Sequence, residues 1–260
     1  MYQGEVLSIP SHESVRSLKS RLAARPHPFY RFAFSNGYTA PGADDTTQLA
    51  HDSRARLVLP WLDKLVGTRW PDVRCLDMAC NEGWFAVQLA LRGASSVLGV
   101  DVREEHIAVS QTVQEAAGLS NLAFQKENVF DLNAEELGQF EVTLCLGLLY
   151  HLADPVGALR VARALTSEVC VIETQVARGS DDLDCRWGSG ESRSGPAIAV
   201  VPSDPHHVAP GLAVVLVPTL DALIAMLYSV GFRQVALLGA APGEFSQLVD
   251  RDRVVVVALA

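Results

Sequence analysis

Short apolar runs alternate along this chain with longer stretches in which apolar positions recur at helical spacing. Residues 73–79 (VRCLDMA) are apolar apart from Arg74 and Asp77, as a strand buried on both faces of a parallel sheet would be. Residues 85–91 (FAVQLAL) read as an apolar helix stopped by Gly93, and residues 97–100 as a second strand that ends on Asp101. The alternation continues with a helix over 104–117, acidic in its first turn and closed by Gly118, and a third strand at 122–125. A fourth strand at 140–146 follows, then a helix from Asp154-Pro155 to Leu165 and a fifth strand at 168–172. A helix over 219–230, with Thr219 as cap and Gly231 as stop, precedes two final strands at 234–238 and 254–258. The pattern predicts an α/β fold: seven strands, mostly parallel with the last antiparallel, and helices on both faces.

Two regions break the alternation. Residues 1–70 read as helical and irregular, with an amphipathic helix at 14–24, a turn-rich segment at 36–45 and a helix over 47–66. Residues 177–211, rich in glycine and serine, are too long for a routine connection, which favours a lid or a substrate loop. No internal repeat and no second compact domain is evident.

Chemistry concentrates where the first strand turns. Cys80-Asn81-Glu82-Gly83 makes the turn, and the separation from Gly83 to Asp101 suits one strand–helix–strand unit. That unit sets a carboxylate near the ribose of a nucleoside whose other end lies over the turn. A dinucleotide site wants G-x-G-x-x-G for its pyrophosphate, and this turn has a single glycine; no G-x-x-x-x-G-K-[ST] occurs either. The stretch resembles motif I of class I S-adenosylmethionine (SAM)-dependent methyltransferases, D/E-x-G-x-x-x-G, with Asp77 and Gly83 matching and Ala79 in place of the first glycine. A ligand-free βαβ unit is the alternative. The resemblance implies a Rossmann-like methyltransferase fold. It also implies SAM as cofactor and S-adenosylhomocysteine (SAH) as product, held by Asp77, Ala79, Cys80, Asn81, Gly83, Asp101 and Val102. Asn128 and Val129, after the third strand, would meet the adenine, unless Asn128 only caps its turn.

The run Gly147-Leu148-Leu149-Tyr150-His151-Leu152 resembles the G-V-L-Y-H motif of a narrower group that includes the bacterial tRNA wobble-uridine carboxymethyltransferases. It implies that Leu146, Gly147 and Tyr150 border the cofactor. Two departures matter. The carboxylate of those enzymes' SAM derivative is held by a lysine and a C-terminal arginine besides the tyrosine. No lysine occurs between Lys19 and Lys64, and the short C-terminus shows no comparable arginine motif. Net charge is −9, which argues against clamping nucleic acid. Ordinary SAM and a small acceptor are therefore favoured.

Methyl transfer from a sulfonium needs donor and acceptor in line and at most one base. His151 is the first candidate base, with a structural histidine as the alternative, and His206 and His207 join it if the insertion folds over the site. Tyr30, Tyr38, Glu173 and Trp187 are candidates for the acceptor pocket, with core packing as the other reading for the aromatics. Gln48, Ser53 and Arg54 precede the sheet where relatives reach over the cofactor. No metal spacing is present, and the five cysteines lack C-x-x-C spacing, so reduced thiols are expected.

The expected organisation is an N-terminal cap over the active site (1–70) and a SAM-binding domain (71–260) with a lid-like insertion at about 177–213. With no 18-residue apolar run and no signal pattern, a cytoplasmic protein is expected, without membrane contact. The expected activity is O-methylation of a small molecule in specialised, antibiotic-type biosynthesis. A tRNA wobble-uridine modifier and a non-catalytic SAM-binding protein are the alternatives. Methyltransferases of this size are often homodimers, although no interface is legible.

Overall fold

Consecutive residues of the first sheet strand serve opposite sides. Cys75 packs into one buried apolar cluster, Leu76 and Met78 into another, as the two-residue repeat of a strand requires. The computed structural model describes residues 5–23, 25, 28–178, 184–186, 192–194, 196–202 and 214–260. Seven strands among them form one sheet: β1 (Arg74–Met78), β2 (Ser96–Asp101), β3 (Leu122–Lys126), β4 (Phe140–Leu146), β5 (Thr166–Gln175), β6 (Gln234–Leu238) and β7 (Arg253–Leu259). Their order is β6-β7-β5-β4-β1-β2-β3. β1 to β5 pair in parallel, and β7 runs antiparallel to both of its neighbours. The last strand is the antiparallel one, as the alternation predicts.

The helices are α1 (Val15–Leu22), α2 (Asp45–Val66), α3 (Trp84–Leu91), α4 (Glu104–Ala117), α5 (Pro155–Leu165) and α6 (Leu220–Ser229). Leu18, Leu59, Phe85 and Ile107 of α1 to α4 join Val97, Leu144 and Val257 on one side of the sheet. Leu159 of α5 and Leu227 of α6 join Val100, Ile172 and Val256 on the other. Local signals explain the helix starts: Asp154 accepts from Gly157 N at 2.7 Å ahead of Pro155, and Asp44 accepts from Thr46 N and Thr47 N. That second cap starts α2 at Asp45 rather than at the expected residue 47.

Strand order reverses between β1 and β4, so the crevice outside their carboxyl ends is the position where open α/β sheets take ligands. Three segments border it. Residues 79–83 leave β1, and Gly147 with the short helical turn Leu149–His151 leaves β4. The N-terminal region reaches the same edge through Arg54 of α2, which meets Glu173 of β5, and through Phe29 and Tyr30, whose amides donate to Glu82. Within the insertion, Ile198–Pro202 pairs antiparallel with Val214–Pro218. The second of these strands docks on the β4 turn: Leu216 N donates to Leu152 O at 3.1 Å, and Val215 and Val217 pack with Tyr150. No helix among the described residues is long and apolar enough to cross a membrane.

Candidate functional site

The turn after β1 is held from several sides. Cys80 N donates to Val100 O (2.8 Å) and Gly83 N to Cys80 O (2.9 Å), while Asn81 Oδ1 accepts from Glu82 N (2.7 Å). Ala79 and Asn81 both adopt left-handed backbone, φ 57° and 53°. That conformation is unfavourable for alanine and tolerated by asparagine. Gly83 opens α3 at φ 77°, and a Cβ there would lie 2.5 Å from the Phe124 ring. The glycine at this point of the motif thus leaves room for β3's phenylalanine. Asp77, buried behind the turn, accepts from Ala86 N at 3.1 Å and so caps the first turn of α3. Burial, with the Asp101 charge adding to it, pushes the Asp77 carboxyl up to about 7 against the Ala86 bond and Arg54.

Asp101 ends β2 beside this turn. Its Oδ2 accepts from Asn81 N and its Oδ1 from Arg103 N, both at 2.9 Å, with His106 Nδ1 3.4 Å from Oδ1. Burial raises its pKa, but His106 and the two amide bonds outweigh burial and hold the carboxyl below its ordinary value. The side chain is thus an oriented carboxylate, and its remaining lone pairs are available to a ligand hydroxyl. Val102 follows at 53% exposure, an uncovered apolar surface next to that carboxylate. Beyond it, Asn128 Oδ1 accepts from Phe130 N at 3.1 Å, so the capping role is realised, while Val129 is buried and Phe130 is exposed.

On the other side of β1 a charged cluster is buried. Glu173 of β5, paired in register with Leu146, takes a hydrogen bond from Arg253 Nη1 at 2.7 Å and an ion-pair contact from Arg54 Nη2 at 3.1 Å. Arg253 Nη1 also donates to Tyr150 Oη at 3.1 Å, and its guanidinium lies 4.7 Å over that ring. β7 inserts between β5 and β6, which brings Arg253 to the carboxyl edge. Gly147 (φ 75°) leaves space over the cluster, since a Cβ there would sit 3.4 Å from Tyr150 Oη and 3.6 Å from Glu173 Oε2.

The N-terminal region is tied to the motif turn by Glu82. Its buried carboxylate accepts from Arg25 through both oxygens and from the amides of Phe29 (3.1 Å) and Tyr30 (3.0 Å). His51 on α2 sits 4.4 Å from the rings of both Phe29 and Tyr30. Burial first, then the charges of Arg54 and Arg253, lower its pKa to about 3, so the ring is neutral.

The structure brings Asp77, Ala79, Cys80, Asn81, Gly83, Asp101 and Val102 together at the β1 and β2 ends, and Leu146, Gly147 and Tyr150 at the β4 end. Glu173 is fully buried and engaged by Arg54 and Arg253, so it does not present a free carboxylate to an acceptor. Tyr30 is buried among Phe29, Phe32, Trp84 and Phe85. Tyr38 stacks on Phe34 of its own hairpin, 6.1 Å away. His151 packs its ring 4.2 Å from Tyr150. Trp187, His206 and His207 lie outside the described residues. Among the described residues no group of three His, Cys, Asp or Glu side chains is arranged for a metal ion. Sequence reasoning missed His51, Glu82 and Arg253. The partners of the last two lie far along the chain, 57 residues for Glu82 and Arg25 and 80 for Arg253 and Glu173, and no spacing rule reaches so far.

Residues 71–184 match the family model described as "Methyltransferase domain". This stretch is similar to a methyltransferase domain. The chain is 30% identical over 109 residues to the ubiquinone biosynthesis O-methyltransferase of Acinetobacter baumannii (strain AYE), covering 42% of this chain and 45% of that protein. The protein of that name from Pseudomonas savastanoi pv. phaseolicola is 35% identical over 100 residues, 38% of this chain and 41% of its own. The chain therefore spans less than half the length of these curated relatives. Among solved structures, the N-terminal domain of EvdMO1 with SAH bound superposes with a TM-score of 0.70 at 23% identity, over 95% of this chain and 98% of that one. The magnesium protoporphyrin IX methyltransferase of Synechocystis PCC 6803 with bound SAM gives 0.56 at 14% identity, over 84% and 85%. These likenesses show that the chain has the Rossmann-like methyltransferase fold.

Proposed function

We propose that this chain is a SAM-dependent methyltransferase that transfers a methyl group to an oxygen of a small-molecule acceptor, in specialised biosynthesis. The observation that carries the reading is Asp101: an ionised carboxylate, oriented by two backbone amides, at the carboxyl end of β2 beside an uncovered valine. A ribose needs such an acceptor and an adenine such an apolar face, so the residues present fit a nucleoside. Asp101 would hold the ribose hydroxyls. Val102, Val129 and Phe130 would border the adenine, with Asn128 at its edge. When bound, the cofactor supplies a methyl carbon already activated by its sulfonium. The chain's own part is to orient donor and acceptor and keep water away, through α2, the Phe29–Tyr30 pair and the paired strands Ile198–Pro202 and Val214–Pro218, with residues 1–70 as the cap.

Support for a small acceptor comes from the curated relatives' name and from charge. With 21 basic against 30 acidic residues, the chain lacks the cationic excess that a tRNA-binding protein uses. The test is incubation with SAM and a library of hydroxylated metabolites, followed by mass spectrometry. SAH together with an O-methylated product is expected. Absence of both, with no SAM retained by the protein, would contradict the reading.

A further inference from the structure

The buried polar atoms that folding leaves without a hydrogen bond are not scattered. Among buried side-chain atoms of the described residues, those lacking a hydrogen bond are Gln48 Oε1, both ring nitrogens of His51, Arg54 Nε, Glu173 Oε2 and His106 Nδ1. All but the last belong to α2 or to the end of β5. Gln48, His51 and Arg54 follow one another at three-residue intervals, which sets them on one side of the helix. That side meets the carboxyl edge of the sheet: Arg54 Nη2 lies 3.1 Å from Glu173 Oε2, and 3.8 Å from where a Cβ on Gly147 would be. Buried polar groups are normally paired, because an unmet donor or acceptor costs more than an apolar group of the same shape. His51 is 4% exposed between two aromatic rings, where a phenylalanine would pack with nothing left unmet.

We propose that this side of α2 is the acceptor subsite and that His51 receives the proton of a hydroxylated small molecule as that hydroxyl is methylated. The assignment rests on the methyltransferase reading above. In the step, the acceptor oxygen forms a bond to the methyl carbon of SAM. The carbon–sulfur bond breaks with its electron pair going to sulfur, and the hydroxyl proton moves to a ring nitrogen of His51. Atoms and charge balance: one sulfonium is lost and one imidazolium gained, and the imidazolium later gives its proton to solvent. The neutral ring offers a lone pair at any physiological pH. Arg54 and Arg253 oppose a new positive charge beside them. The sulfonium's disappearance in the same step, with Glu173 nearby, offsets that opposition. Gln48 Oε1 and Arg54 Nε remain to orient the acceptor's other polar groups.

The test uses the full chain as wild type, His51→Phe and His51→Gln, in three measurements. These are SAH binding by calorimetry, thermal unfolding without ligand, and SAH formation from SAM with a panel of phenols and sugars. We expect both variants to bind SAH as the wild type does and His51→Phe to unfold at no lower temperature. Turnover is expected to fall at least about 100-fold, in kcat rather than in KM for SAM. A purely structural histidine predicts the reverse, a lower unfolding temperature with turnover within tenfold of wild type, and that result overturns the proposal. If His51→Phe does not fold, His51→Gln carries the same turnover criterion. A wild type that binds SAH but methylates no hydroxylated compound overturns it as well. A wild type that binds no SAH refutes instead the methyltransferase reading beneath it.

Discussion

Ala79 holds φ 57° in the turn after β1, where the motif resembled by this sequence has glycine. Left-handed backbone costs a non-glycine residue roughly 1–2 kcal/mol, against about 0.5–1 kcal/mol for the extra freedom glycine loses on folding. Ala79→Gly is therefore expected to stabilise the fold by about 0.5–1 kcal/mol in urea denaturation; a destabilised variant would show that the turn is not strained there. Asp77 has a different signature. Its folded pKa, about 7, stands above the ordinary 3.8. The folded state thus keeps a proton that the unfolded chain releases, and stability falls as pH rises from about 4 to 7. Asp77→Asn keeps an acceptor for Ala86 N and removes the titration. Its stability relative to wild type should improve by about 2–4 kcal/mol between pH 4 and pH 8. Parallel pH profiles of the two proteins would contradict this.

Between elements, the Arg25–Glu82 pair, both side chains 3% exposed, ties the N-terminal region to the turn after β1. Breaking a buried pair from one side leaves an uncompensated charge, so Glu82→Ala is expected to cost about 3–5 kcal/mol. Arg25→Met with Glu82→Leu should recover only part of that, because the amides of Phe29 and Tyr30 lose their acceptor as well. Full recovery in chemical denaturation would show that those amides find other partners. The same pair marks the boundary of what sequence could say. The strand–helix–strand unit around Asp77, Gly83 and Asp101 was legible because strand and helix repeats and turn chemistry are local signals. Glu82 lies inside that legible turn, yet its partner depends on how a separate segment returns across the sheet. Gly83 was legible as a turn residue, but not as the gap that admits Phe124 from β3, since that contact follows from strand order.

For the whole molecule, the sheet edge divides into two chemical halves on either side of β1. Asp101 and Val102 lie on one half; Arg54, Glu173, Arg253 and the neutral His51 lie on the other. The alternation of strands foretold the first half. The second depends on β7 entering between β5 and β6 and on α2 crossing the edge, neither of which a periodicity encodes. Its acid response follows from His51, whose folded pKa of about 3 is depressed from 6.5. The unfolded chain then binds more protons between those values, so this contribution to stability is lost as pH falls below 6.5. His51→Phe should therefore gain on wild type by about 1.4 kcal/mol per pH unit over that interval, measured by denaturation at pH 6.5 and 5; a constant difference would mean the ring is not held neutral.

The central claim is that the β2 end of this edge holds the sugar of a sulfonium nucleoside, and calorimetric titration of SAH into wild type and Asp101→Asn tests it most directly. Asparagine keeps one acceptor for the turn but removes the charge, so we predict binding by the wild type and affinity at least about tenfold weaker in the variant, with an unchanged fold. Equal affinities, or no binding by the wild type, would contradict it.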